Sequence, residues 1–336
     1  MSRLIFGIAL ILVSTGLAEE PIKLEATKTT EVSGGFIPPF GIIGTPKCDG
    51  KGDIYILAQP ARRKPPHNVI MRIAADGTAA KSLEPETSGE LRGGFVRDFT
   101  VSLTGEVFAL VELGKSGRPE VYVAQFSKEG NYSGKTRLEV DERLIPAQIA
   151  ALPEGGFLIS GTLEPENDQA EGPYEPFTGL FDDDGSLISR LDLAGERTER
   201  TEESPLKLAI ETGSVAAGED GNLYLMRRLS NPVIHVVAGS GTTVRKFQVA
   251  HPSGNFEPIL MMSRAGRLLV SFQSVDKKAR QPLQIFRIVD PQSGMSIREY
   301  LRTHELQGAL VCYTGESVTF LTRTKGKLVL LSAEVR

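Results

Sequence analysis

Apolar residues in this chain come in short continuous runs rather than at helical spacing, and each run is entered through a glycine. GDIYIL begins at Gly52, and its counterparts are GEVFAL at Gly105, GGFLIS at Gly155, GNLYLM at Gly221, GRLLVS at Gly266 and GESVTFL at Gly315. A glycine turn leading into β-branched, aromatic and leucine residues predicts a buried strand. Recurrence about every fifty residues marks a stacked repeat whose units are not stable singly.

The same order of parts surrounds each copy. Over 93–140, VRDFTVSL, VFALVEL, VYVAQFS and KTRLEV read as four strands separated by a turn, a loop and a second turn. Gly and Asp in ADG, DDDG, GSG and PQSG fall where tight hairpins after the third strands need them. Four antiparallel strands per repeat make a propeller blade. The prediction is therefore an all-β, six-bladed β-propeller, a single domain over 19–336, with blades near 36–84, 93–140, 145–193, 207–249, 256–302 and 306–336. The last repeat runs out after its third strand. PIKLEATKTTE, residues 21–31, precedes the first blade and is expected to supply the missing outer strand, closing the ring and covering a free edge.

Gly41-Ile42, the run from Gly52 to Ile56 and the stretch from Met71 to Gly77 carry a pattern that resembles NHL-type and gluconolactonase-like six-bladed propellers. That resemblance implies the architecture over 36–336. It also implies, for the gluconolactonase-like enzymes, a channel metal held by a glutamate early in the first blade and by later asparagine and aspartate. Here the corresponding stretch from Gly34 to Gly44 holds no carboxylate or amide, and the one Asn-Asp pair, Asn167-Asp168, falls in a loop. Ala58-Gln59 stands where NHL repeats usually place an acid. The resemblance extends to shape and not to a catalytic motif.

Composition agrees with many turns, with 35 glycines and 20 prolines among 336 residues. A net charge of −4 gives no global field that would draw the chain to nucleic acid or an anionic membrane. The opening MSRLIFGIALILVSTGLAEE has the parts of a secretory signal: Arg3, an apolar run from Leu4 to Val13, and Gly16 and Ala18 before a cut after residue 18. The apolar run is about half of what a bilayer needs. Residues 1–18 are thus expected to be a signal peptide, leaving a monomer without a membrane span in a periplasm or the exterior.

Export makes a disulfide the default for a cysteine pair. Cys48 and Cys312 end the inner strands of blades one and six, which meet at the closure. They lie four and three residues before their glycines, so they point to opposite faces of their own sheets. Adjacent blades meet through opposite faces, and a Cys48–Cys312 bond is expected, with two buried free thiols as the alternative.

Chemistry is harder to locate. DGKGD and FDDDGS lack the length and closing glutamate of a calcium loop, and Asp182, Asp183 and Asp184 sit at a hairpin where solvated acids are ordinary. The four histidines show no short metal spacing, although His251 and His304 both open links into inner strands on one face. No nucleophile elbow is present. Seven residues before each repeat glycine stand Thr45, Asp98, Gln148, Ser214, Ile259 and Gly308, four of them polar in an otherwise apolar strand. Arg97, Glu211, Glu257, His304 and Gln307 fall near the same end. Together with Asp98 and Gln148 they mark one channel mouth as the place for a small polar ligand or a protein partner. Loops on that face carry bases, such as Arg62, Lys115, Arg227 and Lys277, and neighbouring links return acids, a mixed solvated surface. No cofactor is expected. The alternative is a channel-metal enzyme of lactonase, hydrolase or lyase type.

Overall fold

The computed structural model describes residues 20–33, 40–60, 68–78, 80–85, 89–114, 119–152, 154–164, 175–191, 214–227, 231–275 and 283–335. Two short strands come first, β1 (Ile22–Leu24) and β2 (Lys28–Glu31). Blade one holds β3 (Phe40–Cys48), β4 (Ile54–Pro60), β5 (Val69–Ile73) and β6 (Ala80–Leu83). Blade two holds β7 (Phe95–Val101), β8 (Val107–Leu113), β9 (Glu120–Phe126) and β10 (Tyr132–Arg137). Blade three holds β11 (Arg143–Ala151), β12 (Phe157–Glu164), β13 (Glu175–Phe181) and β14 (Leu187–Arg190). Blade four has β15 (Val215–Ala217), β16 (Leu223–Arg227), β17 (Val233–Val237) and β18 (Thr243–Gln248). Blade five has β19 (Phe256–Arg264), β20 (Arg267–Ser274), β21 (Gln284–Val289) and β22 (Ser296–Arg302). Blade six has β23 (Ala309–Tyr313), β24 (Ser317–Thr324) and β25 (Lys327–Glu334). Inner strands touch in the order β3, β7, β11, β15, β19, β23 and back to β3, which is a closed ring.

Six apolar cores, one at each blade interface, hold the ring together. Along β4, Tyr55 and Leu57 enter the core shared with blade two, while Ile54 and Ile56 enter the one shared with blade six. Along β16, Tyr224 and Met226 face blade five, and Leu223 and Leu225 face blade three. Successive side chains of a strand point to opposite faces, and here both faces are covered. The second strands therefore read as unbroken apolar runs. By contrast the outer strands β10 and β18 alternate between half-buried and exposed, because only one face has a neighbour.

All six repeat glycines hold positive φ, from +64° at Gly266 to +102° at Gly155, the left-handed backbone that a hairpin into the second strand requires. At Gly185 an added Cβ would stand 1.9 Å from the Arg137 carbonyl oxygen, so the blade-three hairpin packs against blade two through bare backbone.

Closure is more elaborate than one added strand. β2 pairs antiparallel with β25, from Lys28 opposite Ser332 to Glu31 opposite Val329, and completes blade six. β1 pairs parallel with β22, from Ile22 opposite Tyr300 to Leu24 opposite Arg302, and gives blade five a fifth strand. The expected outer strand of blade six is present as β2, but it takes only residues 28–31 of the segment 21–31, and the earlier part joins blade five instead. The segment's apolar pattern explains the split, since Leu24 fills the core between blades five and six and Val32 the core between six and one.

The Thr303 hydroxyl donates to the Leu24 carbonyl at 2.6 Å and pins the turn out of blade five to β1. Thr303→Val should cost about 1 kcal/mol, the net worth of one hydrogen bond, read as a lower urea midpoint at unchanged m-value.

Cys48 and Cys312 are bonded, with Cα atoms 5.4 Å apart and 264 residues between them in sequence. The bond lies in the apolar core between blades six and one, beside Ile54, Val311 and Leu321. Opposite-face parity thus brings the cysteines together, and the free-thiol alternative falls.

Candidate functional site

Five inner strands shift register on their partner: between Ile43 and Lys47, Val96 and Asp98, Pro146 and Gln148, Pro258 and Leu260, and Leu310 and Cys312. A bulge re-aims the side chains beyond it. Thr45, Asp98, Gln148 and Ile259, four of the six residues seven positions before a repeat glycine, lie at or beside these bulges.

Asp98 is buried and joins three blades. Its Oδ1 accepts from Lys47 Nζ of blade one at 3.0 Å, and its Oδ2 accepts from the Ile149 backbone N–H of blade three at 3.0 Å. The same ammonium stands 4.5 Å from the centre of the Phe99 ring. Ser214, also buried, repeats the device: its hydroxyl oxygen accepts from the Met261 N–H of the next blade at 3.2 Å. Two of the four polar residues in this register therefore stitch inner strand to inner strand, each satisfying an amide that faces away from its own ladder.

The other candidates separate. Arg97 stacks on Phe95 and pairs with Glu112 of its own blade at 2.6–2.7 Å. Gln148 accepts from the Ser160 hydroxyl at 3.4 Å. Glu257 is exposed on β19 opposite Gln273. Glu211 lies outside the described residues, as do Asn167-Asp168, the first-blade stretch 34–39, residues 1–18, and the basic residues Arg62, Lys115 and Lys277. His304 and Gln307 are exposed on the link from blade five to blade six, and both line one cavity. His251 is not its companion: both of its ring nitrogens face carbonyl oxygens, of Pro252 at 2.9 Å and Phe256 at 2.7 Å. Among the described residues no three His, Cys, Asp or Glu side chains gather as metal ligands.

Between the inner strands lies a cavity of about 90 Å³, lined by Lys47, Thr100, Ala216, Arg264 and Tyr313 among others. A larger cavity, about 600 Å³, opens at the mouth between blades five, six and one. Blade five shapes it. On the face turned to blade six, Leu269, Phe286, Ile288 and Tyr300 are apolar and fill the core. Towards the mouth the same strands turn polar: Glu257 stands opposite Gln273, and Gln273 opposite Gln284. Arg302 ends the row, its Nη1 donating to Gln284 Oε1 at 2.6 Å. Gln284 in turn donates from Nε2 to the buried Ser271 hydroxyl at 3.2 Å.

The Arg302 guanidinium also donates to the Leu306 carbonyl and, at 2.7 Å, to the Gly308 carbonyl, and it lies 4.7 Å from the Phe320 ring centre. These bonds hold the entry into blade six in place. Burial pushes Arg302 down to about 10, which leaves it cationic at neutral pH. Ile42, Pro46, Ile259, Leu260 and Leu310 supply apolar wall, and Leu283 stands 55% exposed.

Sequence reasoning reached His304 and Gln307 and missed Gln273, Gln284 and Arg302. The missed signal is an alignment within one blade: polar residues at the mouth ends of strands two, three and four, each bordering an apolar run.

No family model and no curated protein matches the chain. Among solved structures, a protein of unknown function from Dyadobacter fermentans DSM 18053 superposes with a TM-score of 0.56 at 11% identity, covering 93% of this chain and 99% of that one. One of unknown function from Bacteroides caccae gives 0.47 at 12% identity, over 79% and 83%. The structure described as the Dos1 propeller gives 0.42 at 10% identity, over 84% and 76%. At such identities a likeness shows the fold alone; the Dyadobacter structure shares this chain's architecture over nearly its whole length.

Proposed function

We propose that this chain is an exported propeller that works as a binding module, taking its ligand at the mouth between blades five, six and one. The observation that carries the reading is the cavity of about 600 Å³, a size typical of ligand sites, where apolar walls meet the polar row of blade five. The leader-like opening and the Cys48–Cys312 bond support an oxidising compartment outside the cytoplasm. No described helix is long and apolar enough to cross a membrane. Resemblance to NHL-type propellers, drawn from the residues of blade one, supports a stacked-blade scaffold and names no ligand.

Ligand-observed NMR with a neutral fragment library on the mature protein tests this. Fragments should bind, and Leu283→Trp, placed at an exposed wall residue, should displace them without moving the melting midpoint. A stoichiometric divalent metal in the purified protein, with turnover of simple lactones, would overturn the reading in favour of an enzyme.

A further inference from the structure

Arginine has five N–H donors in a planar fork and no acceptor. Three of those of Arg302 are used, by Leu306, Gln284 and Gly308, and all three partners are neutral oxygens. One donor remains on each η-nitrogen. Among the described residues Arg302 forms no ion pair, and burial is what lowers its titration. The acid on its own row, Glu257, lies three strands away, about 14 Å at ordinary strand spacing, and Glu305 on the adjoining link is exposed. The mouth therefore presents a partly buried cation whose charge is not answered by any described residue.

A buried guanidinium gains most from a carboxylate, which accepts two parallel N–H bonds and restores neutrality. The surroundings limit what is attached to that carboxylate. Ile42, Pro46, Ile259, Leu260 and Leu310 form a wall that a wholly polar ligand would leave wet. A polyanion would bring further charge to a cavity whose described lining holds one guanidinium and no lysine. His304 and Gln307, exposed at the rim, add hydrogen-bonding groups beside the head group.

Resting on the reading of this cavity as the ligand site, we propose that it binds a monocarboxylate with an apolar body, the carboxylate on the Arg302 fork and the body against the blade-five and blade-one walls. A free aliphatic acid and a peptide chain ending in a hydrophobic residue share this chemistry.

Titration calorimetry on the mature protein distinguishes the sources, using octanoate against octanamide and N-acetyl-alanyl-leucine against its C-terminal amide. At least one acid should bind saturably, with its amide about 10-fold or more weaker, the worth of a charge-assisted hydrogen bond. Arg302→Lys, which keeps the charge and loses the fork, should weaken the acid by a similar factor and leave the amide unchanged. The acid-to-amide ratio on the wild type needs no variant, so misfolding of Arg302→Lys would not remove the test. Equal binding of acid and amide would overturn the inference while leaving the cavity a ligand site. So would failure of both acids where neutral fragments bind. If neutral fragments fail as well, the proposed function falls with it.

Discussion

Cys312→Ser is expected to lower the thermal midpoint by roughly 7–8 °C under oxidising conditions. The bond joins residues 264 apart, and the chain-entropy argument puts the restriction of so long a loop in the unfolded state at about 5 kcal/mol. Spread over the unfolding entropy of a domain this size, about 2.1 cal/mol/K per residue, that gives the stated shift. A second observable follows from the same cause. Wild-type protein melted in reductant should fall to the midpoint of the variant, while the variant should not respond to reductant. A wild-type midpoint indifferent to reductant would refute the assignment of the bond as the fastening of the ring, because the packing of Cys48 and Cys312 between Ile54 and Val311 survives reduction and the covalent constraint does not.

Asp98→Ala should be nearly as damaging, at about 3–5 kcal/mol, the usual cost of removing one member of a buried ion pair. Two groups lose their partner at once: the Lys47 ammonium and the Ile149 amide. Asp98→Asn keeps an oxygen for the Ile149 amide and should recover part of the loss. Replacing the pair together, Lys47→Met with Asp98→Leu, should recover more, since no unpaired charge is then left. Urea unfolding monitored by far-UV circular dichroism measures all three. An Asp98→Ala variant within about 0.5 kcal/mol of wild type, the range of an unremarkable surface change, would contradict the structural role and return Asp98 to the list of ligand groups.

The fold was legible because its physics is periodic. Every second strand is buried on both faces, so six glycine-led apolar runs announce six blades, and the parity of Cys48 and Cys312 about their glycines predicts a bond across the seam. The site was legible only in part. Asp98 and Ser214 were found by a correct register, but a polar residue in that register can face a ligand or a neighbouring blade's amide, and the bulge beside Asp98 leaves no mark in the sequence. Arg302, Gln284 and Gln273 come from three different strands. Their meeting depends on cross-strand register, which spacing along the chain does not reveal. Nor did the segment 21–31 show where it would divide, because β1 and β2 are individually too short to carry a periodic signal.

Those two strands impose an order on folding. They precede all six blades along the chain, yet their partners β22 and β25 begin at Ser296 and Lys327. Until blades five and six have been made they have nothing to pair with, and bringing them home closes a loop that spans the blades, an entropic step that comes late and slowly. A chain stalled or cleaved before β23 would be left with β2 unpaired, the seam unfastened and the faces of blades one and five bare to water. Arrival of the sixth blade thus acts as the trigger that converts an open array of blades into a ring.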